Sequence, residues 1–331
     1  MAAAALLFLA VVGINLVLDP QGIYHTSNPA LSASTNDRYL RYREYQAAAD
    51  SYDGLLFGSS RGQVFPHDEL SRLSGGLRFA SFAVYGGMIT DHLLVLEHML
   101  QEKAAKGRRL RAVFLLFDVD LAGTQPLTNR ILQYTWPPAV TGESRARFWW
   151  RNLTAIQYQA WREKLQRQRA MAPEGDIVVA GRAPLLEAAD ALATLLAPSK
   201  AKAELANQPV GATGGKPERV TARRYFAEQL ATLERFVALC RAHDVQLILA
   251  VSPLRSGVSR IEEADMRLAI DRVSRIAPLW DFTVPQWPAE RADFWLDQSH
   301  FSPQLAAIML RRIFGATPPN AAEAIGVRRG G

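Results

Sequence analysis

The chain of 331 residues has a single cysteine, Cys240. One thiol cannot form an intramolecular disulfide, and it excludes a cysteine-rich zinc site. The excess of positive over negative charge is also small, because the chain has 38 Lys and Arg residues and 32 Asp and Glu residues, a net charge of +6. The basic residues are dispersed and have no interleaved aromatic platform, so no nucleic acid partner is expected. A solvated face, or attraction to anionic lipid or polysaccharide, accounts better for the excess.

Long apolar runs are equally scarce, and the one present covers residues 2–18, with Asn15 its only strongly polar member. Seventeen helical residues rise about 25 Å, close to a hydrocarbon core of about 30 Å. Asp19 and Pro20 oppose continuation of the helix. No basic residue precedes the run, so residues 1–19 are predicted to be an uncleaved membrane anchor, with a cleaved signal segment or a buried core helix as alternatives.

The rest of the chain has the composition of a folded protein, with 49% hydrophobic and 9% aromatic residues. After a polar connector at 20–35, short apolar runs alternate with helical patterns. Strands are predicted at 54–58, 77–82, 111–117, 245–251 and 278–282, and helices at 36–50, 89–103, 220–243, 261–276 and 304–314. This alternation predicts an α/β domain over 36–331, built on a parallel sheet with helices on both faces.

Residues 123–216 break the alternation, because they have helical spacing and many aromatics but no clear buried strand. We expect a largely helical insertion between the third and fourth strands. Its aromatics, Trp149 and Trp150 among them, are interpreted as core residues, and a sugar-stacking surface or lid is the alternative.

A serine motif follows the first predicted strand directly, in the run Gly58-Ser59-Ser60-Arg61-Gly62. Ligands of open parallel sheets bind beyond the carboxyl ends of the strands. A serine on a tight, glycine-bordered turn at that edge is well placed to act as a nucleophile. The structural alternative is an ordinary turn in which a serine caps the next helix.

A second motif, Asp297-Gln298-Ser299-His300, precedes the last predicted helix. With this spacing the carboxylate can accept a hydrogen bond from one imidazole nitrogen and leave the other as a base. The alternative is that Asp297 or Ser302 caps the helix and His300 is a surface residue.

Together, the serine after the first strand and Asp-x-x-His before the last helix resemble the SGNH/GDSL hydrolase superfamily. The similarity is greatest to its membrane-anchored branch, which includes alginate O-acetylation proteins and the D-alanyl transfer protein of teichoic acid synthesis. Asp19-Pro20 after the apolar run, Gly58-Ser59-Ser60, and Val251-Ser252-Pro253 after a strand carry this likeness. The resemblance implies a three-layer, flavodoxin-like parallel sheet and does not extend to residues 123–216.

The resemblance also assigns roles to individual residues. Ser60 matches the nucleophile, His300 the base, and Asp297 the acid that orients the base. The backbone N–H groups of Ser60 and Gly86 match two donors of the oxyanion hole. The position where the superfamily has an asparagine is occupied by Asp118, and an ionised aspartate cannot donate a hydrogen bond to an oxyanion.

Because Asp118 replaces the asparagine, the oxyanion hole has either two hydrogen-bond donors only, or a third donor from another group such as Arg61. Arg61, Asp118, Ser252 and Arg255 are predicted at the same rim and are candidate substrate-binding residues. No set of His, Asp or Glu has the spacing of metal ligands, and no phosphate-binding glycine loop is present, so neither metal nor cofactor is predicted.

The resulting expectation is a single-pass cell-membrane protein with its main domain in the periplasm. It would be a serine esterase or O-acyltransferase acting on an envelope glycan or another acyl ester, with an integral-membrane acyltransferase as a possible partner. The alternative is a catalytically silent SGNH-like protein that binds polysaccharide or assists such an acyltransferase. An unrelated anchored α/β binding protein is a third interpretation.

Overall fold

Six strands form one sheet in the computed structural model, which describes residues 2–24, 35–125, 135–171, 218–255, 261–284, 291–315 and 326–330. The strands are β1 Gly54–Gly58, β2 Phe79–Ala83, β3 Ala112–Phe117, β4 Gln246–Val251, β5 Leu279–Asp281 and β6 Val327–Arg329. The helices are α1 Ala2–Leu18, α2 Asp37–Ala47, α3 His67–Leu73, α4 Ile89–Ala105, α5 Pro138–Thr141, α6 Arg145–Thr154, α7 Tyr158–Met171, α8 Phe226–Ala242, α9 Glu263–Ile276 and α10 Pro303–Ile313.

The strand order is β2-β1-β3-β4-β5-β6, and every pair except β5 with β6 is parallel. The order 2-1-3-4-5 is that of flavodoxin-like sheets, in which ligands bind where the order reverses, here between β1 and β3. The five predicted parallel strands are confirmed. The antiparallel edge strand β6 was not predicted.

Helices cover both faces of the sheet, as the continuous apolar runs of β1 and β3 require. On one face Leu56 and Phe114 pack with Leu70 of α3 and Leu305 of α10. On the other, the Phe57 ring lies 5.7 Å from Phe236 of α8, measured between ring centroids. The mixed α/β architecture predicted from the sequence is therefore confirmed.

The chain clusters into two compact units. Unit 1 comprises the described residues within 1–43 and 127–209, and unit 2 those within 44–126 and 210–331. Unit 2 contains the sheet. Unit 1 combines α1 with α5, α6 and α7, so the apolar N-terminal run and residues 135–171 of the predicted insertion belong to the same unit. Residues 126–134 and 172–216 of that insertion lie outside the described residues, as does part of the predicted connector.

The interior of unit 1 is held together by Asn15 of α1, whose side chain is fully buried. Its Nδ2 donates to the carbonyls of Leu153 and Ala155 at 2.8 and 2.9 Å, and its Oδ1 accepts from Trp161 Nε1 at 2.8 Å. Val11 and Leu18 pack beside them. The second half of α1 is thus a core helix of unit 1.

Residues 2–18 are helical, as predicted. Within the described ranges, however, we find no helix that combines the length and the apolar character needed to cross a membrane. The anchor role of residues 1–19 and the periplasmic location of the main domain stay predictions.

Cys240, the single thiol, lies on α8 in the core of unit 2. Burial raises the pKa of its thiol to about 12. The group is therefore a neutral core side chain at physiological pH.

Candidate active site

The turn after β1 presents Ser60 at the carboxyl edge of the sheet. Ser59 is extended, and residues Ser60–Val64 form a 3-10 turn in which the Ser59 hydroxyl accepts from the Arg61 backbone N–H at 3.2 Å. A Cβ on Gly62 would lie 2.9 Å from that of Ala83, so only glycine lets the turn approach β2 this closely. The sequence suggested either a capping serine or a serine at the edge of the sheet, and the structure has one of each. Ser59 caps the turn, and Ser60 lies at the carboxyl edge.

The loop before α10 is closed on itself by backbone pairing. Trp295 and Phe301 form an antiparallel bridge, and the Leu296 N–H donates to the His300 carbonyl at 2.8 Å. Inside the loop, Asp297 Oδ1 accepts the backbone N–H groups of Ser299 and His300 at 2.7 and 2.8 Å. The helix cap is Ser302, which accepts from the Leu305 N–H, so Asp297 is not used for capping.

These two loops bring Ser60, His300 and Asp297 together. Ser60 Oγ lies 2.8 Å from His300 Nε2, and His300 Nδ1 lies 2.7 Å from Asp297 Oδ2. With Nδ1–H donating to the carboxylate, Nε2 is left to accept the serine proton. Partial burial opposes ionisation of Asp297, but the two backbone N–H groups and the imidazole outweigh it and lower the pKa of Asp297 to about 2. The Asp297 carboxylate is therefore charged at neutral pH.

Gly86 lies in the turn after β2, at the same edge of the sheet. The register pairs Gly58 with Ala83, and the Val84 N–H donates to the Gly58 carbonyl at 3.0 Å. Gly86 has a φ of +56°, a conformation that favours glycine. This places its backbone near the end of β1, and its role as an oxyanion donor stays a prediction.

Arg61 is buried beneath the serine turn and bound on every side. Its Nη1 and Nη2 form a two-pronged pair with the Asp120 carboxylate at 2.6 and 2.7 Å. Nη1 also lies 3.2 Å from Asp118 Oδ1 and 3.3 Å from Ser252 Oγ, and Nε donates to the Ser299 carbonyl at 2.9 Å. Arg61 thus joins the chain segments that follow β1, β3 and β4 to the loop before α10.

Charge balance explains why the guanidinium tolerates burial. Removal from water opposes its charge, but Asp120 and Asp118 outweigh that effect and raise the pKa of Arg61 above its usual range. With all these donors occupied by protein groups, Arg61 acts here as a structural cation, and direct contact with a substrate is not what its geometry favours.

Asp118 occupies the place where the superfamily resemblance implied an asparagine. Its Oδ1 accepts from Ser252 Oγ at 2.5 Å and from Arg61, while its buried Oδ2 makes no hydrogen bond to the part of the chain that the structure describes. Asp118 is therefore an acceptor within the ion-pair network and supplies no oxyanion donor.

The sequence reasoning missed Asp120 and the Ser299 carbonyl as members of this network. Asp118 and Asp120, two residues apart after a buried strand, were a signal for a cation partner nearby. Arg255, the last predicted rim residue, follows β4 and is half-buried, and it is not among the residues that Arg61 contacts in the described ranges.

Across the described ranges, no three His, Cys, Asp or Glu side chains are grouped so that they could hold a metal ion. No protein-family model matches the chain, and no curated protein matches it either. The functional argument therefore rests on the geometry of the site.

Proposed function

We propose that the protein is a serine esterase or O-acyltransferase. The observation that carries the proposal is the continuous hydrogen-bonded series from Ser60 Oγ through His300 to Asp297, at 2.8 and 2.7 Å. A nucleophile, a base in contact with it and a carboxylate that orients the base are the parts that acyl transfer needs.

In the proposed reaction, His300 Nε2 removes the proton of Ser60 as Oγ attacks the carbonyl carbon of an ester. The C=O electrons move onto oxygen, and the backbone N–H groups of Ser60 and Gly86 stabilise that oxyanion. Collapse breaks the ester C–O bond, and the protonated imidazole gives its proton to the leaving alkoxide. Water, or a hydroxyl of an acceptor, then attacks the acyl-serine by the reverse sequence.

The fold supports this proposal independently of the motif. Ser60 follows β1 and the Arg61 network spans β1 and β3, so the site lies where the strand order reverses. The order 2-1-3-4-5, with a serine after the first strand and Asp-x-x-His before the last helix, also supports membership of the SGNH/GDSL superfamily. An envelope glycan as acyl acceptor, and a membrane acyltransferase as partner, are further parts of the proposal.

Arg61 acts in this scheme through other groups. Its Nε holds the carbonyl of Ser299, the residue between Asp297 and His300 along the loop. Its own backbone is adjacent to the nucleophile. We therefore assign Arg61 as a positioning residue that fixes the serine turn and the histidine loop against each other.

The test is labelling of the full chain with a fluorophosphonate, with mass mapping of the adduct. We expect one adduct, on Ser60. In parallel, Ser60→Ala is expected to lower kcat/KM for p-nitrophenyl acetate by at least about a thousandfold, because the nucleophile is lost.

Ser59→Ala is the matched control, since it removes the neighbouring hydroxyl but leaves the triad in place. It is expected to keep both the adduct and most of the activity. A well-folded chain without an adduct, or an adduct that persists in Ser60→Ala, would contradict the proposal and favour the silent, polysaccharide-binding alternative.

A further inference from the structure

A cleft of about 420 Å³ lies in unit 2 between the amino ends of β4 and β5. The last turns of α8 and α10 and the strand β6 complete its walls, so every residue that lines it belongs to unit 2. Ser60 follows the carboxyl end of β1, which runs parallel to β4 and β5. The cleft therefore lies at the opposite edge of the sheet from the triad.

The cleft exists because β4 and β5 separate at their amino ends. β4 pairs with β3 over all six of its residues, but with β5 only at Ala250 and Val251. The same register would bring Ile248 opposite Pro278, which has no N–H group to continue the ladder. In the described part of the chain, residues 246–249 therefore have no paired strand on that side.

The walls of the cleft are mostly apolar. Leu247, Trp280 and Phe314 are only partly buried there, so a ligand could cover apolar surface that remains accessible to water. The volume is within the range of about 300–1,000 Å³ that is usual for small-molecule sites with apolar walls and a few polar groups. The cleft thus suits a small ligand with an apolar body.

The charge at the cleft is entirely positive. Arg241 of α8 and Arg328 of β6 line it, both residues are exposed, and no Asp or Glu is among the described residues that line it. Arg241 donates one long hydrogen bond, at 3.4 Å, to the Ile276 carbonyl. The guanidinium of Arg312 adds a third positive charge, 5.7 Å from the centre of the Trp280 ring. Guanidinium groups with donors to spare are suited to binding a carboxylate.

We propose that this cleft binds an amphiphilic carboxylate with a medium-length hydrocarbon chain. The chain lies against Leu247 and Trp280 in the gap between β4 and β5, and the carboxylate accepts hydrogen bonds from Arg241 and Arg328. A neutral lipid would leave the arginines without an anion. A second copy of the chain would bring like charges together in a self-complementary contact, so an anionic ligand complements the cleft better.

The experiment is calorimetric titration of the full chain with decanoate, at concentrations below micelle formation. We expect octanoate to bind about fifteenfold more weakly, at about fourfold for each methylene lost from an apolar wall. Decanol should bind about tenfold more weakly than decanoate, because it has no charge for the arginines. Decanoate should also raise the melting temperature, since the ligand binds the folded chain.

A fluorescence measurement locates the ligand. Decanoate with bromine at the end of its chain should quench Trp280, which lines the cleft. Trp280→Phe keeps a ring in the wall, so it should retain decanoate binding and lose most of the quenching. Ser60→Ala should bind decanoate as tightly as the wild type, which separates this cleft from product binding at the triad and makes the test independent of the proposed catalytic function.

Arginine variants test the head-group contacts. Arg328→Gln and Arg241→Gln should each weaken decanoate binding by about tenfold and leave decanol binding unchanged, because one charge-assisted contact is lost. Arg235→Gln is the matched control, since Arg235 is an exposed arginine of α8 that pairs with Glu97 and does not line the cleft. It should bind decanoate normally.

Leu247→Trp places a larger side chain in the cleft and should abolish decanoate binding. If that variant does not fold, the arginine variants decide the test, because they alter exposed residues. Absence of decanoate binding would overturn the proposal, as would equal binding of decanol, insensitivity to both arginine variants, or quenching that persists in Trp280→Phe. A dimer in sedimentation velocity that Leu247→Trp dissociates would assign the cleft to a second copy instead.

Discussion

The two units use polar and apolar side chains in opposite ways. Unit 2 buries apolar strands such as β3, all six residues of which are buried, and groups Arg61, Asp118 and Asp120 at the carboxyl edge of the sheet. Unit 1 buries Asn15, Arg38 and Lys164 completely and leaves large apolar side chains exposed. Polar and charged side chains therefore determine how helices pack in unit 1, whereas in unit 2 they form the candidate active site.

In unit 1, buried polar groups select which helices pack together. The Asn15 side chain bonds the carbonyls at the end of α6, the indole of α7 and Gln157, and Gln21 donates to Gln157 at 2.7 Å in the same interior. A mispacked helix would leave these groups unpaired, at about 1–3 kcal/mol each. The interior thus specifies one arrangement without a large apolar core.

The largest expected effect concerns chemistry in unit 2. Asp297→Asn keeps the size of the side chain but removes the charge that holds the His300 tautomer, so kcat should fall by about 10⁴-fold. The free energy of unfolding at pH 7 should change little, because the carboxylate is more than half exposed. Steady-state kinetics and urea unfolding on one preparation measure both.

A retained kcat in Asp297→Asn would mean that the carboxylate does not orient the base. The control is Asp293→Asn, a neighbouring exposed carboxylate that pairs with Arg291 instead. Activity should be unchanged there.

The next effect falls on both chemistry and stability. Arg61→Met leaves the buried Asp118 and the partly buried Asp120 without their cation, which should cost about 3–5 kcal/mol of unfolding free energy. Arg61→Lys keeps the charge but loses the two-pronged geometry, so kcat should fall by about tenfold while KM stays nearly constant. That split would distinguish positioning from substrate binding.

If Arg61→Met alone does not fold, the double variant Arg61→Met with Asp120→Leu still allows the ion-pair contribution to be measured. Removing both partners should be less destabilising than removing the cation alone. If KM rather than kcat changes in Arg61→Lys, the residue contacts substrate and its assigned role is wrong.

A third variant targets the interior of unit 1. Asn15→Leu removes four hydrogen bonds and leaves two carbonyls and the indole N–H of Trp161 without that partner, so the free energy of unfolding should fall by about 2–4 kcal/mol. Below the melting temperature kcat should be unchanged. Tryptophan fluorescence during urea unfolding is a suitable probe, since four of seven tryptophans lie within residues 136–161.

Gly13→Ala, on the same helix with open space around the added methyl group, is the control and should not destabilise unit 1. Equal stability of Asn15→Leu and the wild type would show that apolar packing, and not the buried amide, determines how α1 binds.

The smallest effect is a dependence of stability on pH. The pKa of Asp297 is lowered in the folded protein to about 2 from 3.8, so its stabilising contribution is complete above about pH 4 and is lost as pH falls towards 2. Solvent screening keeps that contribution below about 1 kcal/mol. Urea unfolding at pH 6 and pH 2.5 should therefore show a smaller acid-induced loss in Asp297→Asn than in the wild type.

The strands β1 to β4 could be predicted because each is a mostly apolar run of five or six residues, and β5, with three residues, lies within the short apolar run at 278–282. β6 could not, since its sequence Val-Arg-Arg has no apolar run, and it exists through pairing with β5 and the bond from Arg329 Nε to Asp281 at 2.6 Å. Helix α3 is too short, at seven residues, for a helical period to be recognised.

The triad was predictable because each of its two parts is a local motif beside a strand or helix end. The Arg61–Asp120 pair joins residues 59 positions apart, and Asn15 meets Trp161 across 146 positions. No local pattern indicates either contact. What sequence reasoning missed is thus the tertiary polar pairing that supports the site and unit 1.

The burial of Cys240 has a practical consequence for spectroscopy. A neutral thiol in the core of unit 2 does not compete for maleimide or methanethiosulfonate reagents, because the thiolate is the reacting species. A cysteine introduced at any exposed position would then be modified alone. The wild-type chain is already a background for site-specific spin or fluorescent labels, and the distance between one label on each unit could be measured without removing a native residue.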